Sequence, residues 1–138
     1  MNKKPLNAIA LLLVIANNAF CAEWNSIIKN SDNETFVDID SYNVTNGLPY
    51  ILTKTIFKNT QSQSLNKKTV MFQYQVKNTL FNCKHAAFKV TSIDFYSKQN
   101  QLVITQKPTA ALMPIIADTD EYAVGQLVCQ VNQMVGGQ

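Results

Sequence analysis

Arginine is absent from this chain of 138 residues, and all 12 of its basic side chains are lysine. Without a guanidinium fork there is no bidentate grip on phosphate or carboxylate, which excludes arginine-based recognition of those groups. Histidine occurs once, at His85. A nucleophile–histidine system needs a Ser, Cys or Thr beside the imidazole and an acid to orient it. Here Lys84-His85 directly follows Cys83 with no glycine-rich elbow, so His85 reads as an exposed or half-buried strand residue. Cys83, Cys129 and His85 also fall short of a closed tetrahedral zinc set. Glycine-rich phosphate loops are missing, and no cofactor is expected. Asp38 and Asp40 share a face if their strand continues, but the pair reads as a strand end running into a turn at Ser41 rather than as glycosidase carboxylates.

Only one long apolar run exists, and it lies at the start. Met1-Asn2-Lys3-Lys4 is a short positive opening, Ala8 to Ile15 is unbroken apolar sequence, and small and polar residues lead to Ala19-Phe20-Cys21-Ala22. This is the form of a bacterial secretory signal over residues 1–22. The run is too short for a membrane anchor, which needs roughly 20 apolar residues. Cleavage is expected before Ala22 or Glu23, leaving a single domain over 23–138. A lipidated Cys21 is the alternative, although Phe20 and Asn18 stand where a lipoprotein signal has a small and an aliphatic residue. Loss of Lys3 and Lys4 leaves ten lysines against nine acids, a net charge of +1. The basic character of the full chain is thus partly that of its signal, and nucleic acid is not an expected partner. Export from the cytoplasm is therefore expected.

Export places Cys83 and Cys129 in an oxidising compartment as the one pair left once Cys21 is removed, so they are expected to bond. Closing that length of chain stabilises the fold by about 4 kcal/mol in the chain-entropy account.

The exported part reads as strands first and one helix last, an α+β fold with an antiparallel sheet. Strands are expected at Trp24–Ile28, Thr35–Ile39, Pro49–Asn59, Val70–Lys77, Phe88–Tyr96 and Leu102–Thr105, with Leu80–Cys83 extending the fourth or making a corner. Asn46-Gly47 is a turn signal, and Thr60–Lys67 reads as a polar loop. Val70, Phe72, Tyr74 and Val76 alternate with largely polar residues, which predicts one buried and one wet face. Past Pro108, with Pro114 in a loop, Asp118 is the expected helix cap, with Glu121 three residues on as in a capping box. Val124, Leu127, Val128, Val131 and Val135 follow helical spacing, and Cys129 lies to one side of that stripe. Either the helix is buried on two sides, or it ends early and the stripe is partly accidental.

Aromatics and lysines interleave from Tyr74 through Lys77, Phe81, Lys84, His85, Phe88 and Lys89 to Tyr96. Such a face suits an acidic protein, a polyanion or a surface polymer. Lysines on edge strands also guard sheets against aggregation.

A secretory signal leading into Glu23-Trp24, then Phe36-Val37-Asp38-Ile39-Asp40-Ser41, Leu80-Phe81-Asn82-Cys83, a strand ending at Tyr96, and Gln126-Leu127-Val128-Cys129 follow in an order that resembles the surface-adhesin protein E family of Gram-negative bacteria. The resemblance covers nearly all of the exported chain. It implies an antiparallel sheet of about six strands with a C-terminal helix tied to it by the disulfide. It also implies a non-enzymatic envelope protein that binds a host matrix or plasma glycoprotein. Carried over by position, the binding stretch is Lys77, Asn78, Phe81, Lys84, His85, Phe88 and Lys89, with lysine here where the family's stretch is rich in arginine. A soluble periplasmic accessory protein bound to an envelope partner is the second expectation, and a homodimer is compatible with either.

Overall fold

The computed structural model describes residues 22–108 and 111–137; the expected signal over 1–22 lies outside them except for Ala22. The described residues form seven strands and one α-helix. The strands are β1 (Trp24–Lys29), β2 (Asn33–Thr45), β3 (Leu48–Leu65), β4 (Lys68–Asn82), β5 (Ala87–Tyr96), β6 (Leu102–Gln106) and β7 (Met113–Pro114). The helix α1 spans Asp120–Met134. β1 to β6 lie side by side in chain order, all antiparallel, and the two-residue β7 pairs with the start of β5. This is the expected meander.

Two-residue turns set the register of its two longest hairpins. Asn46 and Gly47 both have positive φ, as do Asn66 and Lys67, the pattern whose twist matches that of the flanking strands. Leu65 therefore faces Lys68, and pairing runs back along both strands. For this reason the polar stretch expected as a loop over Thr60–Lys67 is mostly strand. Gln73 secures the irregular step between Ile56 and Gln61, donating from Nε2 to the Phe57 carbonyl and accepting from the Thr60 hydroxyl at 3.1 Å.

The Phe36–Ser41 motif is a second such device. Between Asp38 and Asn43 the β2–β3 ladder is interrupted. Ser41 Oγ donates to the Asp38 carbonyl at 2.6 Å and accepts from the Leu52 N–H at 2.8 Å, replacing the missing rung. The Asp38 carboxylate accepts from the Asp40 N–H. The Asp38 carboxylate and the Asp40 backbone thus hold a bulge together.

Helix α1 starts one residue later than expected. Thr119 is its cap, with Oγ1 accepting from the Tyr122 N–H at 3.2 Å, while Asp118 sits at φ 64°. Asp120 and Glu121 occupy the first turn, where the helix dipole favours negative charge. Val124, Gly125, Val128 and Asn132 are the buried positions, so the covered stripe is rotated toward Cys129, and Val135 is exposed beyond the last turn. Val37, Ile51, Phe81, Phe88 and Val90 of the sheet close on Val124 and Val128. A second cluster, Leu65, Val70, Phe72 and Phe95, fills the far end of the β3–β4 hairpin, and Ile93 packs against both. Cys83 and Cys129 are bonded, with Cα atoms 5.6 Å apart, stapling the helix to the end of β4.

Candidate functional site

The end of β4 turns sharply at the staple. Cys83–His85 make one turn of 3₁₀ helix, capped by Asn82, whose Oδ1 accepts from the His85 N–H at 3.2 Å. Ala86 follows in a left-handed conformation, φ 45°, and its carbonyl accepts from the Ile115 N–H at 2.8 Å. Disulfide, cap and cross-link thus hold the turn from three directions. Lys84 and His85 project from it into solvent.

The other residues of the expected binding stretch do not join them in one patch. Phe81 and Phe88 oppose each other across the β4–β5 ladder and lie in the core, Phe81 only 1% exposed. Their loss would be felt as a packing defect first. Lys77 points under the helix, where Nζ meets Glu121 Oε1 at 3.3 Å. Asn78 lies on the opposite face of the sheet, its Oδ1 buried without a hydrogen-bond partner among the described residues. Lys89 opposes Leu80, half-buried on the same side as Asn78. Lys77 lies six residues, or about 20 Å, along the strand from Cys83. Only Lys84 and His85 stand exposed side by side.

Lys77 belongs instead to a polar layer beneath the first turn of α1. Thr35 Oγ1 donates to Asp120 Oδ2 at 3.0 Å and lies 3.0 Å from Thr55 Oγ1. Thr53 and Thr79 are buried beside them. The expected alternation on β4 is therefore reversed near its middle. Lys77 and Thr79 face the helix, Lys77 meeting Glu121 of its acidic first turn, whereas Tyr74 and Val76 face away.

That opposite face carries a feature the sequence reading did not find. The rings of Tyr74 and Tyr96 stack, with centroids 4.7 Å apart and planes within 6°. Lys54 lies over the other side of Tyr74, Nζ 4.7 Å from the centroid, and reaches the Trp24 ring at 5.6 Å. A row of aromatics and one cation thus crosses the uncovered face from β1 to β5. Burial first, and then the neighbouring Tyr96, raise the Tyr74 pKa above the ordinary tyrosine value. The signal was present in Tyr74 and Tyr96, but their meeting depends on the β4–β5 register, which no local pattern gives.

A groove of 490 Å³ lies on the other side of the staple, between α1 and the segment leading out of β7. Among the described residues no group of three His, Cys, Asp or Glu side chains is placed to hold a metal. No described helix is long and apolar enough to cross a membrane.

The described residues thus form a small stapled β-meander with a fixed cationic turn on one side and a row of aromatics on the face away from α1. The family match is specific: residues 24–130 fit surface-adhesin protein E, and the chain belongs to that family of adhesin-like, exported surface proteins. Solved structures agree on the fold. The crystal structure of protein E from non-typeable Haemophilus influenzae is similar at a TM-score of 0.56 and 15% identity, covering 80% of this chain and 78% of that one. Crystal form II of Haemophilus influenzae protein E gives 0.55 at 14% identity, covering 78% and 87%. A third structure of protein E gives 0.51 at 17% identity, covering 78% and 84%. No curated protein sequence matches the chain.

Proposed function

We propose that this protein is a non-enzymatic adhesin of the Gram-negative cell envelope that engages a host matrix or plasma glycoprotein through the turn at Cys83. The observation that carries this reading is the turn itself. Its backbone is held by the disulfide, by Asn82 and by the Ala86–Ile115 hydrogen bond, so Lys84 and His85 meet a partner with their backbone already ordered. Lys89 is a further cation of the stretch, half-buried on the sheet face away from α1. Lys77, Asn78, Phe81 and Phe88 support the stretch from within rather than by contact.

Surface plasmon resonance against matrix and plasma glycoproteins tests the assignment. Lys84→Gln with Lys89→Gln is expected to weaken binding, and added salt to weaken the wild type, because exposed charges are screened. Lys77 is left unchanged so that the Glu121 ion pair survives. Equal binding by wild type and variant removes the turn from the site.

The uncovered aromatic face favours a second reading, a periplasmic accessory protein whose sheet packs on an envelope partner. Surface labelling of intact cells separates the two. A periplasmic protein stays unlabelled until the outer membrane is opened.

A further inference from the structure

The groove beside the staple carries a chemistry of its own. Its floor is apolar, formed by the Cys83–Cys129 disulfide, Ile115 and Gly125. Its helix wall presents three carboxamides, from Gln126, Gln130 and Gln133, with Tyr122 at one end. Gln126 and Gln130 are one turn apart, about 6 Å along the axis, and face the same side. The Tyr122 side chain is partly free to solvent, the residue being 41% exposed. No charged side chain lines the groove, although 15% of the chain is charged.

Each part restricts the ligand. An uncharged lining gives no counter-ion to an acidic or basic partner. Carboxamides both donate and accept, so a row of them suits a ligand with hydroxyl and amide groups at regular spacing. The apolar floor and the tyrosine ring take the non-polar face of such a ligand. Gly125 is buried and lets the helix pack closely on its neighbours: a Cβ added there would come within 3.1 Å of Ile115 and 3.2 Å of Phe81, so these side chains would have to shift slightly.

We propose that this groove binds a neutral oligosaccharide bearing N-acetylhexosamine, its acetamido groups paired with the glutamine carboxamides and a pyranose face against Tyr122. Cys83 and Ala86 of the cationic turn border the groove, but the Lys84 and His85 side chains are not part of its lining, so the two sites are tested separately. Host glycoproteins and the bacterial wall both carry such sugars.

The test is titration of the N-acetylglucosamine trisaccharide into the ¹⁵N-labelled exported domain, followed by NMR at the glutamine side-chain amides. Saturable shifts are expected at Gln126, Gln130 and Gln133. Gln130→Ala and Tyr122→Ala should each weaken binding about three- to tenfold, the worth of one neutral contact. Both positions are exposed, and an unchanged amide spectrum elsewhere shows that each variant is folded. Lys84→Gln with Lys89→Gln should leave sugar binding intact, as should added salt. Maltotriose, which lacks the acetamido group, should bind more weakly. A wall disaccharide and a desialylated glycoprotein glycan, run in parallel, distinguish the two sources. Absence of shifts at these amides, equal binding by Gln130→Ala and Tyr122→Ala, salt sensitivity, or equal affinity for maltotriose would overturn the proposal.

Discussion

The two faces of this sheet solve burial in different ways. One is covered by α1, and most of its side chains are modest: Thr35, Val37, Ile51, Thr53, Thr55 and Thr79, with Phe81 and Phe88 as the large exceptions. The other has no covering element among the described residues and carries Trp24, Lys54, Tyr74 and Tyr96 leaning on one another. A helix brings its own apolar stripe and polar first turn, so the strand residues beneath it need to be small and matched. An uncovered face lacks that second layer, and large rings lying flat against their neighbours shield the backbone in its place. The covered face is thus specified by complementarity with one distant segment, the open face by cross-strand register.

The largest expected effect lies on the covered side. Phe81→Ala should cost about 3–5 kcal/mol in denaturant unfolding, since Phe81 touches both sheet and helix and its removal leaves a cavity. Replacing Cys83 and Cys129 together with Ala should cost about 2–5 kcal/mol, read in the same experiment. On the open side, Tyr74→Ala should cost less, about 0.5–1.5 kcal/mol beyond the area it buries, from loss of the ring stack. If Tyr74→Ala proves as damaging as Phe81→Ala, the open face is a second core and the contrast between faces fails. The smallest effect is a titration. Tyr74 has a raised pKa in the folded protein. Its neutral form is therefore favoured by folding, and the stability it contributes is complete below the unfolded tyrosine pKa and lost as pH rises through the folded value. Ultraviolet absorbance should show one phenol ionising late in the wild type. Tyr96→Phe should bring that step earlier, because Tyr96 is the lesser of its two causes.

Much of the architecture was legible because it is local. Asn46-Gly47 announces a tight hairpin, the β-branched runs announce strands, and two cysteines in an exported chain announce a bridge. The element order followed from these. What was illegible depends on partners remote in sequence. Thr60–Lys67 looks like a loop by composition, yet Asn66 and Lys67 can both take left-handed φ and close a two-residue turn, so the flanking residues pair. Asp118 is a good cap by type, but Thr119 takes the role once Asp118 adopts positive φ. The faces of β4 change over beside the irregular step between Ile56 and Gln61, and Lys77 then meets Glu121, 44 residues away. For the candidate site, the cationic stretch could be read from the sequence, but its dispersal over core, ion pair, open face and turn could not. The glutamine groove gave no signal, because Gln126, Gln130 and Gln133 look like an ordinary solvated helix face until Ile115 is placed opposite them.

The staple also decides how the domain would yield under a pull. Cys83 and Cys129 are separated by 46 residues, so the chain between them, with β5, β6, β7 and most of α1, is a closed covalent loop. A pull applied between the two ends of the domain passes from β4 through the sulfur atoms into the last turn of α1 and bypasses that loop. Strands β1 to β4 can be drawn out, while the looped segment contributes no length. The extension withheld is about 150 Å at the reach of a stretched chain. Lys84 and His85 sit at the root of this loop, just off the load path, so the bond that carries the force shields their backbone from it.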